Sequence, residues 1–105
     1  MSLHPDLQGR LTYQYEGLDY PWCQDCNAKD NQGNICAWDD ERASEFSLLG
    51  MIYKVFRNTD HWHVIQAYLQ EIFHCGFWEG AVIDLNDKSG RTYEEVLAFL
   101  NKHQL

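Results

Sequence analysis

Apolar residues recur at helical spacing over one long stretch of the chain. Ala43, Phe46, Leu49, Ile52, Tyr53 and Phe56 follow one another at intervals of three or one, and Leu48, Met51 and Val55 widen the stripe until it nearly surrounds the rod. Asp39 and Asp40 stand just ahead of it, where a carboxylate can accept from the free N–H groups of a first helical turn and sit at the positive end of its dipole. The pattern therefore predicts a central helix over residues 40–57, buried on more than one side. Gly50 lies inside it. A helical glycine costs about 1 kcal/mol relative to alanine, so its presence predicts a close crossing with another element.

The remaining pattern is built around this rod. Residues 1–10 have no period and contain Pro5 and Gly9, as a loosely held arm would. Leu11-Thr12-Tyr13-Gln14-Tyr15 alternates, which predicts a short strand. Tyr20-Pro21-Trp22 is an extended aromatic step, because a residue before proline is pushed out of the helical region. The polar cluster at residues 29–34, with Gly33, predicts a hairpin turn between flanks at 23–28 and 35–38. A second helix is predicted near 60–75, with Thr59 or Asp60 at its start and Trp62, Ile65, Leu69, Ile72 and Phe73 on its apolar face. Residues 81–85 suit one or two helical turns or a buried strand, and residues 86–90 a turn. Thr92-x-x-Glu95 is a capping box opening a last helix near 92–103. The fold class that follows is mainly α (α+β): a compact bundle of about three helices with a small N-terminal β-hairpin, in one domain spanning 1–105.

Charge adds a constraint. The net charge is −8, and the four tryptophans, six tyrosines and five phenylalanines point to a core built from large rings. An acidic domain repels phosphate, which argues against nucleic acid as a partner and for a basic protein surface. No apolar run approaches 18 residues, so no membrane contact is expected. The first residues do not form a secretory leader. The expected location is the cytoplasm, with free thiols.

Four constellations bear on chemistry. Cys23-x-x-Cys26 followed by Cys36 places three thiols around one hairpin, like a zinc knuckle short of a ligand; Cys75, His61, His63 or His74 would have to complete it. The same pair lacks the strand-then-helix context of thioredoxin-like redox chemistry. His61 and His63, at i and i+2, diverge on a helix and chelate poorly there. No nucleophile elbow surrounds any serine or cysteine. Asp84, Asn86 and Glu95 match three positions of a calcium loop. Lys88 and Ser89 occupy positions that such a loop needs for a ligand and a glycine, so calcium is excluded.

Trp22, the Lys29-Asp30-x-x-Gly33 turn, Ala43-x-x-Phe46-Ser47-Leu48-Leu49-Gly50 and the ending Asn86-Asp87-x-x-Gly90-Arg91-Thr92-x-x-Glu95-Val96-Leu97 together resemble a small uncharacterised bacterial and phage domain family. The resemblance spans about residues 20–102. Ser47 stands where that family usually has cysteine and Leu85 where it has tryptophan, and the family's N-terminal helix has no visible counterpart. The resemblance implies a fold and no mechanism. It also weakens the zinc reading, because Cys23, Cys26 and Cys36 lie outside the shared pattern.

Asn86, Asp87 and Arg91 fall around one turn and one helix start. They form either a buried polar clamp, with Asp87 paired to Arg91, or a binding site. Trp22, Trp38 and Trp78, with Tyr20, are the candidate contact rings. The leading expectation is a small acidic protein-interaction module of bacterial, phage or mobile-element origin, without enzymatic activity or a cofactor. A zinc-binding domain using Cys23, Cys26 and Cys36 is the alternative, and an enzyme is third.

Overall fold

The computed structural model describes residues 3–17 and 22–105. Tyr20 and the Tyr20-Pro21 step lie outside them. In chain order the elements are a 3-10 turn at Pro5–Leu7, α1 (Arg10–Glu16), β1 (Ala28–Asp30), β2 (Ile35–Cys36), β3 (Ala43–Phe46), α2 (Leu48–Phe56), α3 (Trp62–Phe73), α4 (Trp78–Asp87) and α5 (Tyr93–Lys102). The mainly helical α+β class agrees with the sequence pattern. The three-helix bundle does not: five helices and a three-stranded antiparallel sheet are present among the described residues.

The largest correction concerns the central rod, which begins eight residues later than predicted. Residues 43–46 form β3, which pairs with β1 through Ala28↔Phe46 and Lys29↔Glu45 and is offset by a bulge before Asp30↔Ala43. The helix starts at Leu48, where the Ser47 hydroxyl accepts from Gly50 N at 3.1 Å. Asp40 does cap amides, but those of a turn: its carboxylate accepts from Arg42 N at 2.9 Å, and its carbonyl accepts from Ala43 N at 3.0 Å. Short acidic side chains serve turns as well as helix starts, and the spacing of Ala43 and Phe46 fits either element.

The predicted hairpin is present but smaller, with Ala28 opposite Cys36 and Lys29 opposite Ile35. The sheet order is β2-β1-β3. The strand predicted at 11–15 is helical. Leu11 and Tyr15, four apart, are fully buried while Tyr13 is 75% exposed, the signature of a helical face rather than a pleat. Leu3 and Leu7 are buried too, so the described part of the expected loose arm packs on the core. It is tied down where Gly9 N donates to Gln104 O and Leu11 N to Leu105 O. Residues 81–85 are helical, and α4 runs on through Asn86 and Asp87, so the turn begins only at Lys88.

α2 is the hub of the packing. It lies against α4 and α1 and continues directly from β3, while α3 packs on α4 and α1 on α5. Leu48, Leu49, Gly50, Met51, Ile52 and Phe56 are all buried. The predicted crossing at Gly50 is real and is made by the 23–27 turn. A Cβ on Gly50 would fall 2.8 Å from the Asn27 carbonyl carbon and closer still to its oxygen. That same oxygen accepts from Ser47 N at 3.1 Å, which fixes the turn over the first turn of α2. The capping box of α5 forms as predicted, with both Thr92 and Glu95 engaged.

Candidate functional site

Two regions gather the residues that sequence reasoning singled out. The first is centred on Asn86, in the last turn of α4 and only 1% exposed. Its Oδ1 accepts from Trp22 Nε1 at 2.6 Å and from Leu48 N, the first amide of α2, at 2.9 Å. Its Nδ2 donates to Cys23 O at 3.1 Å and to Asp87 Oδ1 at 2.9 Å. A carboxamide offers two acceptor sites and two donors, so the side chain is filled from within the chain. It joins α4, α2 and the 22–27 segment in one set of bonds.

Asp87 and Arg91 do not pair with each other, contrary to expectation. Asp87 Oδ1 instead accepts from Asp25 N at 3.0 Å. Arg91 Nε donates to Leu85 O at 2.9 Å, and its guanidinium meets Glu95 at 3.2 Å. Gln24 Nε2 donates to Asn86 O at 2.9 Å. Carbonyls in the last turn of a helix lack partners within it, and Gln24 and Arg91 supply them here. The positive charge of Arg91 also suits that end of the dipole. Glu95 is held below the usual carboxylate range by the Thr92 amide foremost, with Arg91 adding to it. Beside this cluster a cleft of about 150 Å3 is lined by Asp25, Cys26, Asn27, Ser47, Leu49, Ile83, Asn86 and Asp87. Pockets for drug-sized ligands are roughly 300–1,000 Å3, so this cleft admits only small groups.

The second region is a row of rings. Trp38 packs on Tyr53 with centroids 5.8 Å apart, Tyr53 on Trp62 at 5.7 Å and Trp62 on Trp78 at 5.8 Å. Trp78 is the buried end, at 1% exposure. The other three are partly buried. The Arg57 guanidinium covers Trp62 at 5.3 Å, a favourable position for a cation over an indole face. Burial chiefly, and then the charge of Glu79, push the Tyr53 hydroxyl above its ordinary value, so a carboxylate borders the row. Asp39 and Glu41 are exposed in the loop that carries Trp38, and Asp60 is exposed just before Trp62.

The three candidate tryptophans thus part company. Trp78 is core, and Trp22 is bonded to Asn86 and stacked on Tyr93 at 6.5 Å. Trp38 opens the partly exposed row. The spacing of Tyr53 and Trp62 places them on helix faces, and the sequence pattern does not reveal the path of the loop at 37–42 that brings Trp38 onto Tyr53. Cys23 and Cys26 come together, their sulfurs 3.8 Å apart. Cys36 is opposite Ala28 in the sheet. Among the described residues, no group of three or more His, Cys, Asp or Glu side chains is arranged to hold a metal ion, and no helix is long and apolar enough to cross a membrane.

Residues 18–103 match a family of unknown function, DUF6197. The chain belongs to that family. The match spans the Asn86 cluster and the ring row alike, but leaves out α1, which supplies Leu11 and Tyr15 to the DUF6197 core. No curated protein and no solved structure matches the chain significantly. Trp22, Asn86 and Asp87 are bonded to one another or to a shared partner, and Gly50 gives the 23–27 turn its seat on α2.

Proposed function

We propose that this DUF6197 chain is a non-enzymatic protein-interaction module whose contact surface is the partly exposed row Trp38, Tyr53 and Trp62, and whose partner is a basic protein segment. The observation that carries this reading is the row itself. Three large rings in successive contact are left partly exposed near Glu79, Asp39, Glu41 and Asp60, in a chain of net charge −8. Tryptophan and tyrosine dominate binding energy at interfaces because they bring large rigid area with a polar tip. Carboxylates around them steer a basic partner and set its orientation more than its affinity. The Asn86 cluster supports the surface indirectly, since it fixes the start of α2, the helix that carries Tyr53. A cytoplasmic setting and a bacterial or phage source fit this reading and belong to the same proposal.

The test is a comparison of two variants at a partner captured by the wild-type protein. Trp38→Ala is expected to weaken binding tenfold or more, the size typical of an aromatic anchor. Tyr13→Ala, which removes a more exposed ring on α1 outside the row, is expected to leave it unchanged. Raising the salt concentration should slow association, as screening shortens the reach of the carboxylates. Equal binding by wild type and Trp38→Ala would refute the assignment.

A further inference from the structure

The pair Cys23 and Cys26 takes no part in the ring surface, and its geometry is specific. The sulfurs lie 3.8 Å apart, in thiol–thiol contact. Among the described residues no other two sulfurs are hydrogen-bonded to each other. Cys23 is buried, while Cys26 is half-buried on the wall of the 150 Å3 cleft. The turn between them is pinned to α4 at three points: Cys23 O by Asn86, the Gln24 side chain by Asn86 O, and Asp25 N by Asp87. Asp25 sits at φ 68°, a left-handed conformation uncommon outside glycine. A turn already held in this shape loses little further freedom when a bond closes across it.

We infer that Cys23 and Cys26 are an oxidisable dithiol, closing to an intramolecular disulfide by exchange with a low-molecular-weight disulfide. The two thiols are unequal, which sets the order of events. Cys26 is the accessible one. Its thiolate attacks one sulfur of the small disulfide, forming a mixed disulfide and expelling the first small thiolate with its electron pair. Burial, and then the neighbouring Cys26, push the Cys23 thiol well above its ordinary value, so Cys23 remains protonated until that adduct is in place. Cys23 then gives its proton to solvent, and its thiolate attacks Cys26 Sγ and expels the second small thiolate. Both leaving groups take up protons, so two protein thiols are oxidised and one small disulfide is reduced to two thiols. The bond draws the Cys26 sulfur toward Cys23 and ends its contact with Gln24 O, now 3.5 Å. The cleft wall changes while the Asn86 cluster stays in place.

Incubation of the reduced protein with excess glutathione disulfide, followed by acid quenching and peptide mapping by mass, tests this. The expected product has lost two hydrogens across Cys23 and Cys26 and carries no glutathione there, whereas exposed Cys75 acquires an adduct. Closure should quicken as pH rises, because Cys23 must lose its proton. Cys23→Ser should leave glutathione permanently on Cys26. The wild-type map needs no variant to fold. Both thiols still free to alkylate in excess disulfide, a lasting adduct on wild-type Cys26, or stoichiometric zinc blocking both sulfurs in freshly purified protein would each overturn the assignment.

Discussion

The Asn86 cluster and the ring row both contain a partly buried tryptophan and use it differently. Trp22 gives its N–H to Asn86 at 2.6 Å and stacks on Tyr93, so both its polar tip and its face are engaged by the fold. Trp38 meets one ring, Tyr53. Trp22, Gly50, Asn86 and Asp87 all serve the first region, where α4, α2 and the 22–27 segment are joined. The comparison teaches that a dense set of polar side chains can mark where backbones must be tied together, and that rings held only by other rings are freer to serve a contact surface.

The strongest way to break the first region is at its crossing point. Gly50→Leu places a side chain where the Asn27 carbonyl already lies, and backbone on both sides of the contact leaves nothing flexible to yield. The expected loss is about 4 kcal/mol or more, beyond ordinary overpacking, and chemical unfolding should find no stable folded baseline. A variant with an unchanged unfolding midpoint would mean that the 23–27 turn does not sit on α2.

Next in size is a direct contrast between the regions. Asn86→Ala strands the Leu48 amide and the Cys23 carbonyl without partners, and buried groups left unpaired cost about 1–3 kcal/mol each. The expected destabilisation is about 3 kcal/mol in urea unfolding, with Trp22 fluorescence shifting as its N–H partner is lost. Trp38→Ala removes a partly exposed ring and its contact with Tyr53, worth about 1 kcal/mol. Comparable losses for the two variants would erase the distinction between a structural cluster and an open surface.

The two regions were also unequally legible from sequence. The Thr92-x-x-Glu95 box and the glycine at 50 each encode a local necessity: a helix start needs amide acceptors, and a crossing needs a missing side chain. Both appear where the residues placed them. Asn86 and Asp87 fall around one turn in the sequence, but their partners at 22–25 and 48 are 38 to 64 positions away. Residue types alone do not reveal such pairing. The misplaced start of α2 has a different origin. Ala43 and Phe46 are three apart, which suits a helix, and the pairing of 43–46 with Ala28–Asp30 overrides that spacing. Ser47, directly ahead of Leu48 and Leu49, was the available signal for the true start, since its hydroxyl is an N-cap of the ordinary kind. At Leu11 and Tyr15 the five-residue pattern with apolar positions at 11, 13 and 15 satisfies both periods, and only the exposure of Tyr13 separates them.

The smallest expected effect concerns the acidic border of the ring row. Asp40 follows Trp38 in the same loop, and the Arg42 guanidinium bonds its carboxylate at 2.9 Å. Those hydrogen bonds from the Arg42 side chain, and then from its backbone N–H, hold Asp40 at about 2. A carboxylate depressed in the folded state contributes stability above its unfolded value of about 4 and loses it as pH falls through its folded value. The contribution of this pair is therefore complete at neutral pH and disappears between about 4 and 2. In Arg42→Ala, a carboxyl NMR titration should find Asp40 moved up toward the ordinary range, and the acid limb of the unfolding curve should flatten correspondingly. An Asp40 titration unmoved by the substitution would mean that the pair does not persist in solution. If the pair persists, the variant also exposes one more uncompensated negative charge beside Trp38. Association with a basic partner should then quicken and become more sensitive to salt, while a contact surface elsewhere on the chain would show neither change.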